Sequence, residues 1–360
     1  MHTLVDAYST EHPGDVAGLK QFLSALPLKK VKRLALIGKT EGTATINDFS
    51  RQVAVDNAKN TISELGGEAL LEKSTIIFST GCEGVLSPCV YMFSVLDDDS
   101  DLKLSSESLR LSMGGAQTRP IHATELVTLK HITLVSDAVK ASMAEANLSA
   151  SQVKLVFVKS PILTHQAAVK TGDTSVIGRA GSSGQSRGAA ALGVALALGE
   201  IGMEEIRNVK IGTDLNQFSN KCMAFSGTEV DVGEVLVLGN RLGKTGGFRV
   251  HTTPIEDILD TGSIKKMLLG AGCSLDEIGE LDNTDLLKAT FLKAGVASSG
   301  LVRGDRTTIF QSELDPDKHM RAAASGLIGG LLGTGKLFVS GGTEHQAKTG
   351  GGIFSCITKV

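Results

Sequence analysis

Three short apolar runs in this 360-residue chain each end in a serine followed by small residues. Ile76-Ile77-Phe78 leads into Ser79-Thr80-Gly81-Cys82-Glu83-Gly84. Met223-Ala224-Phe225 leads into Ser226-Gly227-Thr228-Glu229, and Leu337-Phe338-Val339 into Ser340-Gly341-Gly342-Thr343-Glu344. One Ser-Gly step after a strand carries little weight, because both residues commonly end strands. Three of them, 147 and 114 residues apart, mark an internal repeat, which constrains the fold more than any local propensity.

Two further elements recur in the same order. Leu34–Ile37 is a buried-strand pattern closed by Gly38-Lys39; Leu155–Val158 is closed by Lys159, and Thr290–Leu292 by Lys293. Ser50-Arg51 opens a helical pattern through Val53, Ala54, Ala58, Ile62 and Leu65, stopped by Gly66-Gly67. Arg187 precedes an alanine-rich helix, Gly188–Leu198, and Arg321 precedes Ala322-Ala323-Ala324 and an apolar, glycine-rich helix. Each section therefore reads strand–Lys, Arg–helix, strand–Ser. The Lys-to-Arg steps are 12, 28 and 28 residues and the Arg-to-Ser steps 28, 39 and 19, the drift that loop insertions produce. Additional helices are expected over 13–28 and 136–146. Linkers are expected in the polar stretch 95–106 and the Gly/Lys/Arg-rich stretch 239–249. Thr118-Arg119-Pro120-Ile121 and Thr252-Thr253-Pro254-Ile255 open the second and third sections. The pattern predicts an α/β fold of three structurally similar repeat units, 1–101, 108–246 and 252–360. Three such units close most simply about a pseudo-threefold axis, with an active site at the centre.

Composition narrows the function. A hydrophobic content of 41% is enough for a sizeable core, and with no Trp, 2 Tyr and 42 Gly that core must be aliphatic and closely packed. A net charge of −3 offers no basic footprint for nucleic acid. The five cysteines (Cys82, Cys89, Cys222, Cys273 and Cys356) are scattered without a C-x-x-C, which reads as reduced thiols in a cytoplasmic protein. Met1-His2-Thr3-Leu4-Val5-Asp6 lacks the character of a signal peptide, and the longest apolar run, Ala189–Gly199, is too short to span a bilayer.

If the units close, three lysines, three serines and three arginines meet. A serine hydroxyl needs a base to take its proton, and a lysine serves only when neutral. The free amine has a pKa of about 10.4, so neutrality near pH 7 costs about 4 kcal/mol. Burial and neighbouring cations both lower that pKa. Arginine suits recognition of carbonyl oxygens, and backbone N–H groups at Ser-Gly steps suit an oxyanion. The chemistry supported is hydrolysis of an amide or imide by a Ser–Lys pair. Taken singly, a Lys ending a strand is a solvated charge, an Arg opening a helix a surface residue, and the Ala-rich stretch core. The recurrence of all three in one order argues otherwise.

The set resembles the ring-opening amidohydrolases, the cyanuric acid hydrolases and barbiturases, over essentially the whole chain. The segments that carry the likeness are Gly38-Lys39-Thr40-Glu41-Gly42, Phe78-Ser79 through Glu83-Gly84-Val85-Leu86-Ser87-Pro88, Ser226-Gly227-Thr228-Glu229, and Ser340 through Glu344-His345-Gln346. The resemblance implies hydrolytic opening of a small cyclic amide with no organic cofactor, in an assembly that is often a homotetramer. It implies Ser226 as nucleophile and Lys159 as base, with Ser79–Lys39 and Ser340–Lys293 polarising the other ring edges. Arg51, Arg187 and Arg321 would then hold ring oxygens, and Thr80, Gly227 and Gly341 would add N–H donors. Members of the family often hold a structural Ca or Mg ion beside the third serine loop, helped by an acidic residue two after the third lysine. Here Gly295 stands there and the loop continues Ala347-Lys348, so no metal is expected. Cyanuric acid, with three equivalent carbonyls and N–H groups, matches three similar units. Barbituric acid leaves one unit's acceptor unpaired, at about 1–3 kcal/mol, and stays as the alternative.

Three other readings compete. Gly330-Leu331-Leu332-Gly333-Thr334-Gly335-Lys336 fits a phosphate-binding loop, but Leu337 replaces the Ser or Thr that would bind Mg²⁺. A Ser-His-Asp hydrolase would need a G-x-S-x-G elbow, which none of the three serines has; His345 is expected to make loop hydrogen bonds instead. A non-enzymatic three-repeat binding module is the last.

Overall fold

The computed structural model describes residues 2–43, 48–97, 108–243, 246–311 and 313–360. The first part of the chain supplies strands β1 (His2–Ser9), β2 (Val31–Thr40), β3 (Ser74–Thr80) and β4 (Cys89–Leu96), with helices α1 (Ala17–Ser24), α2 (Ser50–Gly66) and α3 (Glu68–Leu71). The middle supplies β5 (Ser108–Gln117), β6 (Val153–Pro161), β7 (Cys222–Gly227) and β8 (Glu234–Gly243). Its helices are α4 (Leu129–Ala146), α5 (His165–Val169), α6 (Thr174–Arg179), α7 (Ser183–Leu198) and α8 (Met203–Asn208). The last part supplies β9 (Phe248–Ile255), β10 (Leu287–Ala294), a small hairpin of β11 (Leu301–Val302) and β12 (Asp305–Arg306), β13 (Phe338–Ser340) and β14 (Gly352–Lys359). Helices α9 (Thr261–Gly270) and α10 (Pro316–Leu332) complete it.

The strands form three four-stranded sheets with one wiring: β1-β4-β2-β3, β5-β8-β6-β7 and β9-β14-β10-β13. In each, the last strand runs antiparallel to both neighbours, and the second and third strands pair parallel across a helical crossover. The irregularities recur too. A register shift falls at the start of β2 (Val31/Arg33), β6 (Val153/Leu155) and β10 (Leu287/Ala289).

Each sheet is buried on both faces, which is why its central strands read as unbroken apolar runs. One face joins a common core that includes Ile37 and Phe93 of the first sheet, Phe157 and Leu236 of the second, and Phe291 and Ile353 of the third. Phe291 lies 4.9 Å from Tyr91 and 5.0 Å from Phe157 between ring centroids, tying the three sheets. The opposite faces pack against their own helices: β2 and β3 on α1 and α2, β6 and β7 on α4 and α7, β10 and β13 on α9 and α10.

The sequence reading needs several corrections: the helix expected over 13–28 is Ala17–Ser24, and the helix expected after Arg187 starts at Ser183, capped by Ser182, so Arg187 sits inside it. Of the linker expected at 239–249, residues 239–243 belong to β8 and 248–249 to β9, and residues 244–245 lie outside the described ones. Of the linker expected at 95–106, Val95 and Leu96 belong to β4 and residues 98–106 lie outside the described ones. The helix expected at 136–146 starts at Leu129, capped by Thr128, whose hydroxyl accepts from the Lys130 N–H. The helix carrying Arg321 starts earlier, at Pro316, with Asp315 as its cap, so Arg321 sits inside it. Caps made by Thr and Asp set these starts; apolar spacing alone does not show them.

Candidate active site

The three lysines end the buried second strands. Lys39, Lys159 and Lys293 are each 1% exposed, because each continues the row of core-facing residues two positions back, Ile37, Phe157 and Phe291. Lys39 Nζ donates to Ser79 Oγ (3.4 Å) and to the Thr80 carbonyl (2.8 Å). Lys293 Nζ donates to Ser340 Oγ (3.1 Å) and to the Gly341 carbonyl (2.6 Å). Burial lowers Lys39 to about 7, with help from the Arg321 charge. Burial, then Arg187, takes Lys293 well below its ordinary value. Both are therefore suited to accept a proton from the serine each one touches.

The second pair is arranged differently. Lys159 Nζ meets the Ser226 carbonyl (3.3 Å), the Phe78 carbonyl of the first sheet (3.0 Å) and the Glu229 carboxylate (2.5 Å). Ser226 Oγ donates to the Ser183 carbonyl at the start of α7 (3.2 Å). Burial lowers Lys159 to about 8, against the opposing pull of Glu229. The structure thus brings Ser79 to Lys39 and Ser340 to Lys293, and gives the Ser226 hydroxyl a partner other than Lys159.

The arginines join units. Arg321 on α10 grips Glu83 of the first serine loop with Nε and Nη2, both at 2.6 Å. Arg187 on α7 grips Glu344 of the third loop, at 3.0 and 2.8 Å. Arg51 on α2 reaches the second loop, with Nε 3.4 Å from Glu229 and Nη1 donating to the Ser226 carbonyl (3.3 Å). First unit to second, second to third, third to first: the ion pairs close a ring. Burial pushes the Glu83 and Glu344 carboxyls up, but Arg321 and Arg187 outweigh it, and Glu344 falls to about 2. Gly342 (φ 75°) lies under this clasp, where a Cβ would stand 2.3 Å from Arg187 Nη2. The glutamates were visible in the sequence motifs without a role. Their recurrence after each serine is the signal that names them.

Gly227 follows Ser226 at the end of β7, Thr80 turns its hydroxyl to Asp48 (3.0 Å), and Gly341 packs on Asp317, another acidic group beside Lys293. His345, at φ 57°, hydrogen-bonds the Gln217 carbonyl through Nδ1 (2.7 Å) and accepts the Gly212 N–H at Nε2 (2.9 Å), so it holds loops together. The place where the resemblance puts a hard cation does not fit one. Gln346 Oε1 already accepts the Ala224 N–H (2.6 Å), Gly295 packs on Thr343, and Lys348 pairs with Glu256.

Comparison with known proteins agrees along the full length. The sequence profile of the amidohydrolase ring-opening protein family matches residues 5–359. A cyanuric acid amidohydrolase of Bradyrhizobium diazoefficiens is 34% identical over 98% of this chain and 96% of its own. A cyclic amide hydrolase of Azorhizobium caulinodans is 33% identical over 97% of each. The crystal structure of cyanuric acid hydrolase from A. caulinodans superposes with a TM-score of 0.88 at 30% identity, over 99% of both chains. Another cyanuric acid hydrolase structure, described as an evolutionary innovation by structural concatenation, reaches 0.89 at 28% identity, over 100% of this chain and 99% of that one. With a family profile matched over residues 5–359 and relatives alike from end to end, this chain belongs to the amidohydrolase ring-opening protein family.

Proposed function

We propose that the chain hydrolyses a ring C–N bond of cyanuric acid, at a centre where three α/β repeat units meet about a pseudo-threefold axis. The observation that carries this is the closed circuit Arg51–Glu229, Arg187–Glu344, Arg321–Glu83. It draws three serine loops and three buried lysines together, as a ligand with three like edges requires. The unit boundaries of this reading are 1–101, 108–246 and 252–360; the shared wiring of the sheets supports them, with β9 extending the third unit back to Phe248.

The chemistry follows from a Ser–Lys pair in contact. The serine Oγ bonds to a ring carbonyl carbon while its proton passes to the neutral lysine amine. Backbone N–H groups at the loop steps, with Thr80, Gly227 and Gly341 as candidates, stabilise the oxyanion. The ring C–N bond breaks, the lysine returns the proton to the leaving nitrogen, and a serine carbamate remains. Water then adds to that carbamate with its proton going to the lysine, the C–Oγ bond breaks, and the serine recovers its proton. The product, carboxybiuret, loses CO₂ to give biuret. Free N–H groups of Arg51, Arg187 and Arg321 hold the ring oxygens, while their bonded N–H groups hold the glutamates. A homotetramer in the cytoplasm belongs to the same reading, and light scattering tests the assembly.

The test is turnover. Cyanuric and barbituric acids are incubated with the protein from pH 6 to 10, and ring loss is followed by absorbance and biuret by chromatography. Cyanuric acid is expected to be consumed in preference. No turnover of either sinks the reading.

A further inference from the structure

The three serines are not equivalent in space. In the first sheet Lys39 is the register partner of Ser79, and in the third Lys293 is the partner of Ser340. In the second sheet Lys159 is the partner of Phe225, and Ser226 pairs one step further on, with Ser160. Successive residues of a strand point to opposite faces, so one step moves a side chain through the sheet. Ile77 and Phe338 belong to the common core, and Ser79 and Ser340, two residues on, continue that face. Phe225 is itself in the common core. Ser226 instead continues the row of Ala224, which packs on the helices. Its neighbour Ser160 bonds His131 Nε2 (2.9 Å) and Ser186 (2.8 Å) on that side.

Counting back from the clasp glutamates gives the same answer. Four residues before Glu83 stands Ser79, four before Glu344 stands Ser340, and four before Glu229 stands Phe225. Without a hydroxyl opposite it, Lys159 has taken Glu229. The glutamate is shared as a result, and the Arg51 contact is the longest of the three clasps, 3.4 Å against 2.6 and 2.8 Å.

We infer that Phe225 stands in place of a third serine, that Ser226 lies outside the reaction, and that Ser79 is the nucleophile with Lys39 as its base. This rests on the cyclic-amide reading above. The choice between the two surviving pairs comes from what surrounds each lysine. Lys293 has the Asp317 carboxylate nearby, and its Nζ lies over the Phe225 ring, 4.9 Å from the centroid. Both favour its ammonium form. Lys39 lies 5.5 Å over Phe338, and its neighbouring carboxylate, Glu83, is held by Arg321 through both oxygens. Burial and an arginine lower both amines, but two carboxylates, Glu344 and Asp317, oppose this at Lys293 and one, the clasped Glu83, at Lys39. The base is therefore assigned to Lys39, whose 3.4 Å contact with Ser79 is of the length that tightens when substrate binds.

The experiment has two arms. In the first, Ser79→Ala and Lys39→Ala are expected to lower kcat/KM for cyanuric acid about 10³-fold, and Ser226→Ala to leave it within about twofold. In the second, the wild-type protein is treated with 4-nitrophenyl N-methylcarbamate and the labelled peptide is mapped by mass spectrometry. The label is expected on Ser79, and to be lost in Lys39→Ala. Label on Ser226 or Ser340, or on none of the three, overturns the inference, as does a large loss in Ser226→Ala. Selective label on Ser79 in a protein that does not turn over either ring leaves this inference standing and removes the reading it was built on.

Discussion

Arg321 and Glu83 face each other across the junction between the last and first thirds of the chain, joined by two hydrogen bonds of 2.6 Å. The pair closes the circuit that Arg51–Glu229 and Arg187–Glu344 begin.

Removing Arg321 leaves the half-buried Glu83 carboxylate without its clasp. Arg321→Ala is expected to cost about 3 kcal/mol of stability, read as a lower urea midpoint with an unchanged slope. Arg321→Lys should recover little of it, because an ammonium cannot reproduce the planar two-donor fork. A loss below about 1 kcal/mol would mean that the clasp is decorative.

Activity should follow the neutral form of Lys39, which burial and Arg321 bring down to about 7. The kcat/KM value is expected to rise about tenfold per pH unit below 7 and to level off above it. A profile that is flat from pH 6 to 8 would exclude this amine as base.

The same group shapes stability with a definite sign. Lys39 has a folded pKa below its unfolded one, so between about 7 and 10 the unfolded chain binds more protons and stability rises with pH. Its share is at most about 1.4 kcal/mol per pH unit. Lys39→Met should remove that share, so the variant's melting temperature should rise less than the wild type's between pH 7 and 9. Parallel curves would show that the buried amine is not the source.

Gly352 on β14 is the register partner of Ala294 on β10. A Cβ there would meet the Lys293 carbonyl oxygen at 2.1 Å, a backbone atom that cannot rotate away. Gly352→Ala is expected to destabilise by about 1–3 kcal/mol and to lower kcat by moving Lys293 from Ser340. Unchanged thermal melting would show that the two strands separate more easily than their packing implies.

His345 bonds two backbone groups, the Gln217 carbonyl and the Gly212 N–H. His345→Gln should keep most of the activity while lowering the melting temperature. Loss of turnover with an intact melting curve would give the imidazole a chemical role.

Much of this protein was legible in its residues. Apolar runs ended by Lys or Ser marked buried strands, and the structure places them in three four-stranded sheets of one wiring. The family resemblance paired Ser79 with Lys39 and Ser340 with Lys293, and the structure puts each lysine in contact with that serine. The start of α10 was not legible, because Asp315 sets it by capping and not by apolar spacing. That the Ser226 hydroxyl meets the Ser183 carbonyl and not the Lys159 amine was not legible either, since strand register is decided by cross-strand packing.

What the sequence by itself determined is the inventory and its order: three lysines, three arginines, three loop glutamates and three apolar strand ends, recurring in step. Tertiary structure alone decided which face each side chain takes and which unit each arginine reaches. A side chain's face alternates with every residue of a strand, so a single register step separates Phe225 in the core from Ser226 against a helix. The partner of an arginine depends on how sheets far apart in the chain are packed. Neither quantity is local, and the active site depends on both.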